Sequence, residues 1–276
     1  MNEAIGGVIV AAGEGTRLGG DLRKAYVPLA GRPLFMYALE KMRSFDLPWI
    51  ALVIHPEELL RTFNILRTWG WIEEELPGTW DYFPGNMIQI ECKNSSTILY
   101  LVPGGKNRQD SVRAGVAALE HAAYVAVHDA ARPFLTFALW ERLMAQVSVA
   151  HAVVPALPVK DTIKVIDQTA EPSAFSVHRP QRVSVTLPRN TLVAVQTPQL
   201  FHRQTLLTML DMGQALNLEV TDEAMLLERF GKRVVAVLGE EANIKVTTPF
   251  DLALAEVLLR QGIEEGGSDD THRLRL

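Results

Sequence analysis

IGGVIVAAGEGTRLGGDLRK, residues 5–24, carries the element around which this chain is organised. Ile5 to Gly13 is a short apolar run that closes in two alanines and a glycine, the pattern of a buried parallel strand entering a turn. Gly13 and Gly15 remove side chains that would hold a ligand away from the backbone, so consecutive N–H groups can face an anion. Arg17 and Lys24 bring two cations to the same loop, beyond the carboxyl end of the strand, where open α/β sheets bind ligands. No Gly-Lys-Ser/Thr follows Gly13 or Gly15, which excludes a Walker-type loop. The dinucleotide fingerprint needs glycine where Leu18 stands and leaves Arg17 and Lys24 unexplained. On the loop alone, a nucleotide site and a glycine turn with two solvated cations both stay open.

A chain of 276 residues can bury a full core. Its 48% hydrophobic and 21% charged residues are those of an ordinary globule. A formal charge of −5 gives no general attraction to nucleic acid or an anionic membrane, so an anion site must come from a local cluster of cations. Cys92 is the single cysteine, which excludes an internal disulfide framework and a multi-cysteine zinc site. The N-terminal apolar run is short for an export signal and follows Glu3, and no stretch has the length of a membrane span, so the expected location is cytoplasmic.

Beyond the loop, Leu34 to Phe45 has helical spacing, Trp49 to Ile54 reads as a strand, and a helix is expected from Glu57 to Trp69. Gly70 to Ser96 holds Pro77, Gly78, Pro84 and Gly85 among Trp71, Trp80, Tyr82 and Phe83, and reads as an irregular insertion. Thr97 to Val102 is a strand ending in PGGKNRQDS, a second glycine turn in which Ser111 caps a helix or lines a ligand. Tyr124 to Val127 is a strand that delivers His128-Asp129-Ala130-Ala131-Arg132-Pro133. Charges at such a place are paired with each other or hold a ligand, while His128 reads as a packed, hydrogen-bonded residue.

His151 to Pro155 is another buried strand, and Thr162 to Leu187 alternates as an antiparallel hairpin that needs something to pack on, most simply a second subunit. A helix from His202 to Met212, a helix beginning at Asp222 under a Thr221 cap, a strand from Arg233 to Leu238 and a last helix from Asp251 to Arg260 follow. No repeat or linker divides the chain, which reads as one domain over residues 1–262 with a hairpin arm at about 159–189. Residues 263–276 read as a disordered tail.

The motif series Ala11-Ala12-Gly13-x-Gly15-x-Arg17 with Lys24, Gly104-Gly105-x-x-Arg108-x-x-Ser111, His128 to Pro133, Asp161-Thr162, Gln196-Thr197-Pro198-Gln199, Thr221-Asp222-Glu223 and Asn243-Ile244-Lys245-Val246-Thr247 resembles the 2-C-methyl-D-erythritol 4-phosphate cytidylyltransferases. The resemblance implies an α/β protein with the three-layer Rossmann-like fold of the nucleotide-diphospho-sugar transferases, mostly parallel in its sheet, with a projecting β-hairpin arm. It implies transfer of CMP from CTP to a polyol phosphate, with magnesium, in a homodimer joined through the arms. Carried onto this chain, Arg17, Lys24 and Lys245 act on the phosphates, and Ala11, Ala12, Gly13, Gly15, Gly105, Arg108, Ser111, Asp129 and Ala130 bind the nucleotide. Asp129 also stands by the metal. Arg132, Thr162, Arg189, Thr197 and Thr221 bind the polyol phosphate, with Thr162 and Arg189 offered by the partner's arm. Arg23 and Ala25 flank Lys24 where the family usually has Pro and Gln, and Lys106 stands where an acidic residue is frequent.

The nearest rival is a ribitol-5-phosphate cytidylyltransferase, from which Ala131 and the Thr-Asp-Glu at 221–223 lean away. A catalytically silent nucleotide-binding scaffold on the same fold is the rival of another class. Arg17, Lys24, Asp129 and Lys245 speak against it, because a scaffold has no need to gather like charges around one cleft.

Overall fold

The computed structural model describes residues 4–13, 22–73, 87–167 and 180–262. Gly15, Arg17, the proline- and aromatic-rich core of the insertion, the tip of the arm and the C-terminal tail lie outside the described residues.

In chain order the elements are β1 (Ile5–Val10), the short strands β2 (Pro28–Leu29) and β3 (Arg32–Pro33), α1 (Leu34–Ser44), β4 (Trp49–Ile54), α2 (Leu59–Thr68), β5 (Ile88–Glu91), β6 (Ile98–Pro103), α3 (Arg108–Ala118) and β7 (Tyr124–Asp129). Then come α4 (Phe137–Met144), β8 (Ala152–Pro158), the arm strands β9 (Lys164–Ile166) and β10 (Val183–Thr186), β11 (Val193–Val195), β12 (Gln199–His202), α5 (Arg203–Ala215), α6 (Glu223–Arg229), β13 (Val234–Leu238) and α7 (Pro249–Arg260).

The main sheet runs in the order β11-β8-β12-β7-β1-β4-β6-β5, with β13 paired to β8. Its centre is parallel: β1 pairs in parallel with β4 and β7, and β4 with β6. β12 runs antiparallel between β7 and β8, and β5 closes the far edge antiparallel to β6. Buried on both faces, the central strands are near-continuous apolar runs rather than alternating ones. Their side chains still alternate by face. Ile9 and Leu52 join a core with Phe35, Met36 and Leu39 of α1, Phe63 of α2 and Leu139 of α4, whereas Val8 and Val53 join one with Val112 of α3, Leu206 of α5 and Leu226 of α6. Helices therefore cover both faces, giving the expected three layers. Close packing of α3 depends on Gly115, where a Cβ would stand 2.6 Å from Val8 Cγ1 and 2.7 Å from Val53 Cγ2.

Three local expectations change. The insertion contains a regular strand, β5, whose Ile88–Glu91 alternation pairs with β6. Helix α4 adds to the expected elements; Thr136 starts it by accepting a hydrogen bond from Leu139 N. Asp222, not Thr221, caps α6, because its carboxylate accepts from Met225 N at 2.9 Å. The arm is antiparallel as expected, with β9 and β10 in a two-stranded sheet of their own.

Candidate active site

Strand order reverses at β1: the chain passes from β1 to β4 and β6 on one side, then returns through α3 to β7 on the other. Ligands of open α/β sheets bind at such a switch point, outside the carboxyl ends of the strands. There the structure has a cleft of about 540 Å³ lined by the residues that follow β1 (Ala11, Ala12, Gly13), β4 (His55), β6 (Gly105 to Arg108) and β7 (Ala130, Ala131), with Lys24, Ser111, Asp129 and Lys245. The sheet's own hydrogen bonds hold this floor, since Ala11 N donates to Val53 O, Gly104 N to Ile54 O and Ala130 N to Val10 O. The second glycine turn is tied internally. Ser111 Oγ accepts from Gly105 N and donates to Asn107 O, while the Asn107 side chain caps α3 by accepting from Asp110 N.

Asp129 is the charged centre of the cleft. Its carboxylate meets Lys245 Nζ at 2.6 Å, Arg108 Nη2 at 3.4 Å and Arg132 Nε at 3.9 Å. Burial alone would raise its pKa, but Arg108 and Lys245 outweigh that and hold it far below the ordinary carboxylate range. Arg108 continues the network to Glu223, whose two oxygens accept from Nη1 at 2.5 and 2.7 Å. Burial pulls the Arg108 pKa down, yet the two carboxylates more than compensate, so the guanidinium stays charged.

Behind Asp129 lies a locked polar chain. Thr197 Oγ1 accepts from Asp129 N at 3.1 Å and stands 3.0 Å from His128 Nδ1, and His128 Nε2 is 3.0 Å from Arg132 O. A carbonyl can only accept, so Nε2 carries the proton and Nδ1 accepts from the threonine hydroxyl. Burial pushes the His128 pKa down to about 4 and keeps it neutral. It is the packed histidine expected from its setting, with no free nitrogen to act as a base.

That buried histidine has a measurable signature. Between its folded value of about 4 and its ordinary 6.5, only the unfolded chain takes the proton, so stability falls as pH drops through this window. The contribution reaches about 3 kcal/mol at most. Urea unfolding at about pH 4.5 and pH 7 is expected to show a smaller difference in His128→Gln than in the unsubstituted protein. An equal difference in both would assign the slope to other groups.

The family model described as IspD, 2-C-methyl-D-erythritol 4-phosphate cytidylyltransferase, matches residues 5–74 and 84–261. The chain belongs to this cytidylyltransferase family. It is 36% identical over 256 residues to the 2-C-methyl-D-erythritol 4-phosphate cytidylyltransferase of Microcystis aeruginosa, covering 92% of this chain and 98% of that protein. The protein of the same name from Streptomyces avermitilis is 36% identical over 262 residues, with 94% and 93% covered. Among solved structures, the 4-diphosphocytidyl-2C-methyl-D-erythritol synthase of Anaerococcus prevotii superposes with a TM-score of 0.72 at 26% identity, covering 94% of this chain and 96% of that one. The cytidylyltransferase of Thermus thermophilus superposes at 0.63 with 27% identity, covering 92% and 98%.

Of the residues that the cytidylyltransferase resemblance singled out, Ala11, Ala12, Gly13, Lys24, Gly105, Arg108, Ser111, Asp129, Ala130 and Lys245 line one cleft. Gly15 and Arg17 lie outside the described residues. Arg132 and Thr197 sit beneath Asp129: Arg132 Nη1 donates to Asn243 O, and the Thr197 hydroxyl is engaged as above. Thr221 is exposed just before α6. Thr162 and Arg189 stand at the base of the arm and do not line the cleft of their own chain; Arg189 Nη1 donates to Lys160 O. Arg23, in place of the family's usual Pro, ties the segment leading into Lys24 to the residues before α2 by pairing with Glu57 and Glu58 at 3.1 and 3.5 Å.

His55 and Asn107 of the cleft, and Glu223 beside it, escape the sequence reading. His55 follows β4 as Ala11 follows β1, and the rule that picks out the first loop would find it. Glu223 has only the Thr-Asp-Glu motif to mark it.

Proposed function

We propose that this chain transfers CMP from CTP to 2-C-methyl-D-erythritol 4-phosphate, releasing pyrophosphate and forming 4-diphosphocytidyl-2-C-methyl-D-erythritol. The observation that carries the reading is the convergence of Lys24, Lys106, Arg108 and Lys245 with Asp129 on one cleft at the switch point, in a chain of this family. An oxygen of the substrate phosphate attacks the α-phosphorus of CTP, and the bond to the bridging oxygen of the pyrophosphate breaks. The nucleophile is already an anion, so no Ser, Cys or His nucleophile is needed. What the protein must supply is positive potential, to bring two polyanions together and to stabilise charge on the departing pyrophosphate. Lys24, Arg17 and Lys245 take that role in this proposal, and the nucleotide lies along Ala11 to Gly13, Gly105 and Ser111.

The donor set suits magnesium carried in by the nucleotide. Among the described residues there is no cluster of three or more His, Cys, Asp or Glu able to hold a metal, and Asp129 is the one carboxylate lining the cleft. Magnesium is commonly held by one or two carboxylates together with substrate phosphates and waters. Asp129 would hold it, and the bound ion would neutralise phosphate charge.

In this proposal Thr162 and Arg189 serve a polyol phosphate bound by a second copy, since neither lines the cleft of its own chain. An exposed two-stranded ribbon is marginal alone, and Val183 and Val185 of β10 are 46% and 50% exposed, which favours packing of the arm on a partner subunit. The catalytic unit is then residues 1–262 as one domain. Among the described residues no helix is long and apolar enough to cross a membrane.

The test is CTP-dependent pyrophosphate release over a panel of polyol phosphates. Release with 2-C-methyl-D-erythritol 4-phosphate and little with ribitol 5-phosphate is expected. The reverse preference would transfer the chain to the ribitol reaction, and no release with any polyol would leave a nucleotide-binding scaffold.

A further inference from the structure

We propose that Glu223 is a positioning residue: its buried carboxylate holds the Arg108 guanidinium in place at the nucleotide cleft. The inference rests on the nucleotide reading above and adds to it a residue that makes no direct contact with the cleft.

Arg108 occupies an unfavourable place for a cation. It is the first residue of α3, where the helix dipole presents its positive end, and its long side chain is free to take many rotamers. Two carboxylates hold it. Asp129 receives Nη2 at 3.4 Å, but that carboxylate also takes Lys245 at 2.6 Å and lies in the cleft, exposed to competition from any incoming ligand. Glu223 receives Nη1 on both oxygens and is 1% exposed, outside the cleft lining. It is the tether that ligand binding leaves untouched.

The helix that carries Glu223 does not need it for attachment. Asp222 caps α6 and accepts from Gln199 Nε2 at 2.9 Å, tying the helix to β12, while Ala224, Leu226 and Leu227 are buried. A buried carboxylate is costly to desolvate, and an apolar side chain of similar size would fill the same space as well or better. What no apolar side chain can do is fix a guanidinium bridging to Asp129. The arrangement orders a charged donor before the nucleotide arrives, so that binding does not have to do it.

The experiment is a double-mutant cycle on the full chain, with Glu223→Gln, Arg108→Met and the double variant, each followed by CTP titration calorimetry, pyrophosphate-release kinetics and thermal melting. Glu223→Gln keeps volume but loses the charge and one acceptor. Loss of a charge-assisted contact predicts CTP affinity weakened about tenfold and KM for CTP raised to match, with kcat changed less. The melting temperature falls as well, because a partner is removed from a buried ion pair, and melting serves to confirm that each variant is folded at the assay temperature. The double variant, which leaves no unpaired buried charge, is expected to bind CTP no more weakly than Arg108→Met alone. Unchanged CTP affinity in Glu223→Gln, or additive losses in the double variant, would overturn the proposal. Absence of pyrophosphate release in the unsubstituted protein would instead defeat the proposed reaction, while the calorimetric cycle would still decide the role of Glu223.

Discussion

Lys24→Ala is expected to yield a folded protein whose turnover is lower by roughly 10²- to 10³-fold, the usual cost of removing one fixed donor to developing charge. The fold should survive because other contacts hold the segment around Lys24. Arg23 is paired to Glu57 and Glu58, Tyr26 Oη is bonded to Thr62 Oγ1 at 2.6 Å, and Ala25 and Tyr26 are buried. In the proposed transfer, lysine acts on charge that appears as the pyrophosphate departs, so the loss falls on kcat rather than on CTP affinity alone. Arg17→Ala is expected to behave in the same way. The check is kcat at saturating CTP and polyol phosphate, alongside a thermal melt. A stable variant with undiminished turnover would remove that residue from the mechanism.

Asp129→Ala should be the most damaging substitution to the protein as a whole. It strips the shared counter-ion from Arg108, Arg132 and Lys245 at a site where Asp129 itself is almost fully buried. Removing one partner from a buried ionic cluster costs about 3–5 kcal/mol, and turnover should vanish with it. Asp129→Asn keeps the shape and is expected to be less damaging than Asp129→Ala, while still less stable than the unsubstituted protein. Because the folded pKa of Asp129 is depressed, its contribution is complete above the ordinary value of 3.8 and is lost only as pH falls towards the folded value. Urea unfolding should therefore show a stability gap between the unsubstituted protein and Asp129→Asn that is constant near neutrality and narrows only below about pH 3.8. A gap that closes near pH 6 would point to a different titrating group.

How much of this is legible in the sequence depends on the range of the interaction concerned. Strands β1, β4, β6 and β7 announce themselves as apolar runs because both faces are covered, and the small residues after β1 and β6 announce turns that approach a ligand. β5 offers only IQIE beside a proline- and aromatic-rich stretch, too short a pattern to stand out. β12 is four residues of mixed character leading directly into α5, so its pairing is decided by β7 and β8 rather than by its own composition. The cap of α6 falls one position beyond the expected one because Thr221 and Asp222 are both good candidates, and only the bond to Met225 N distinguishes them. At the site, the cations can be gathered from motifs and spacing. The Glu223–Arg108 pair cannot, since its members are 115 residues apart and nothing local to either names the other.

The backbone around Lys245 is riveted while its side chain is long. Val246 N donates to Ala131 O, Asn243 Nδ2 donates to Thr197 O, and Thr248 with Asp251 forms a capping box at the start of α7. Trading Asp129 for an incoming phosphate thus asks only for torsions within one flexible stem, movements of picoseconds to nanoseconds. On this wall of the cleft, admission and discharge of reactants need not wait for any segment of chain to open.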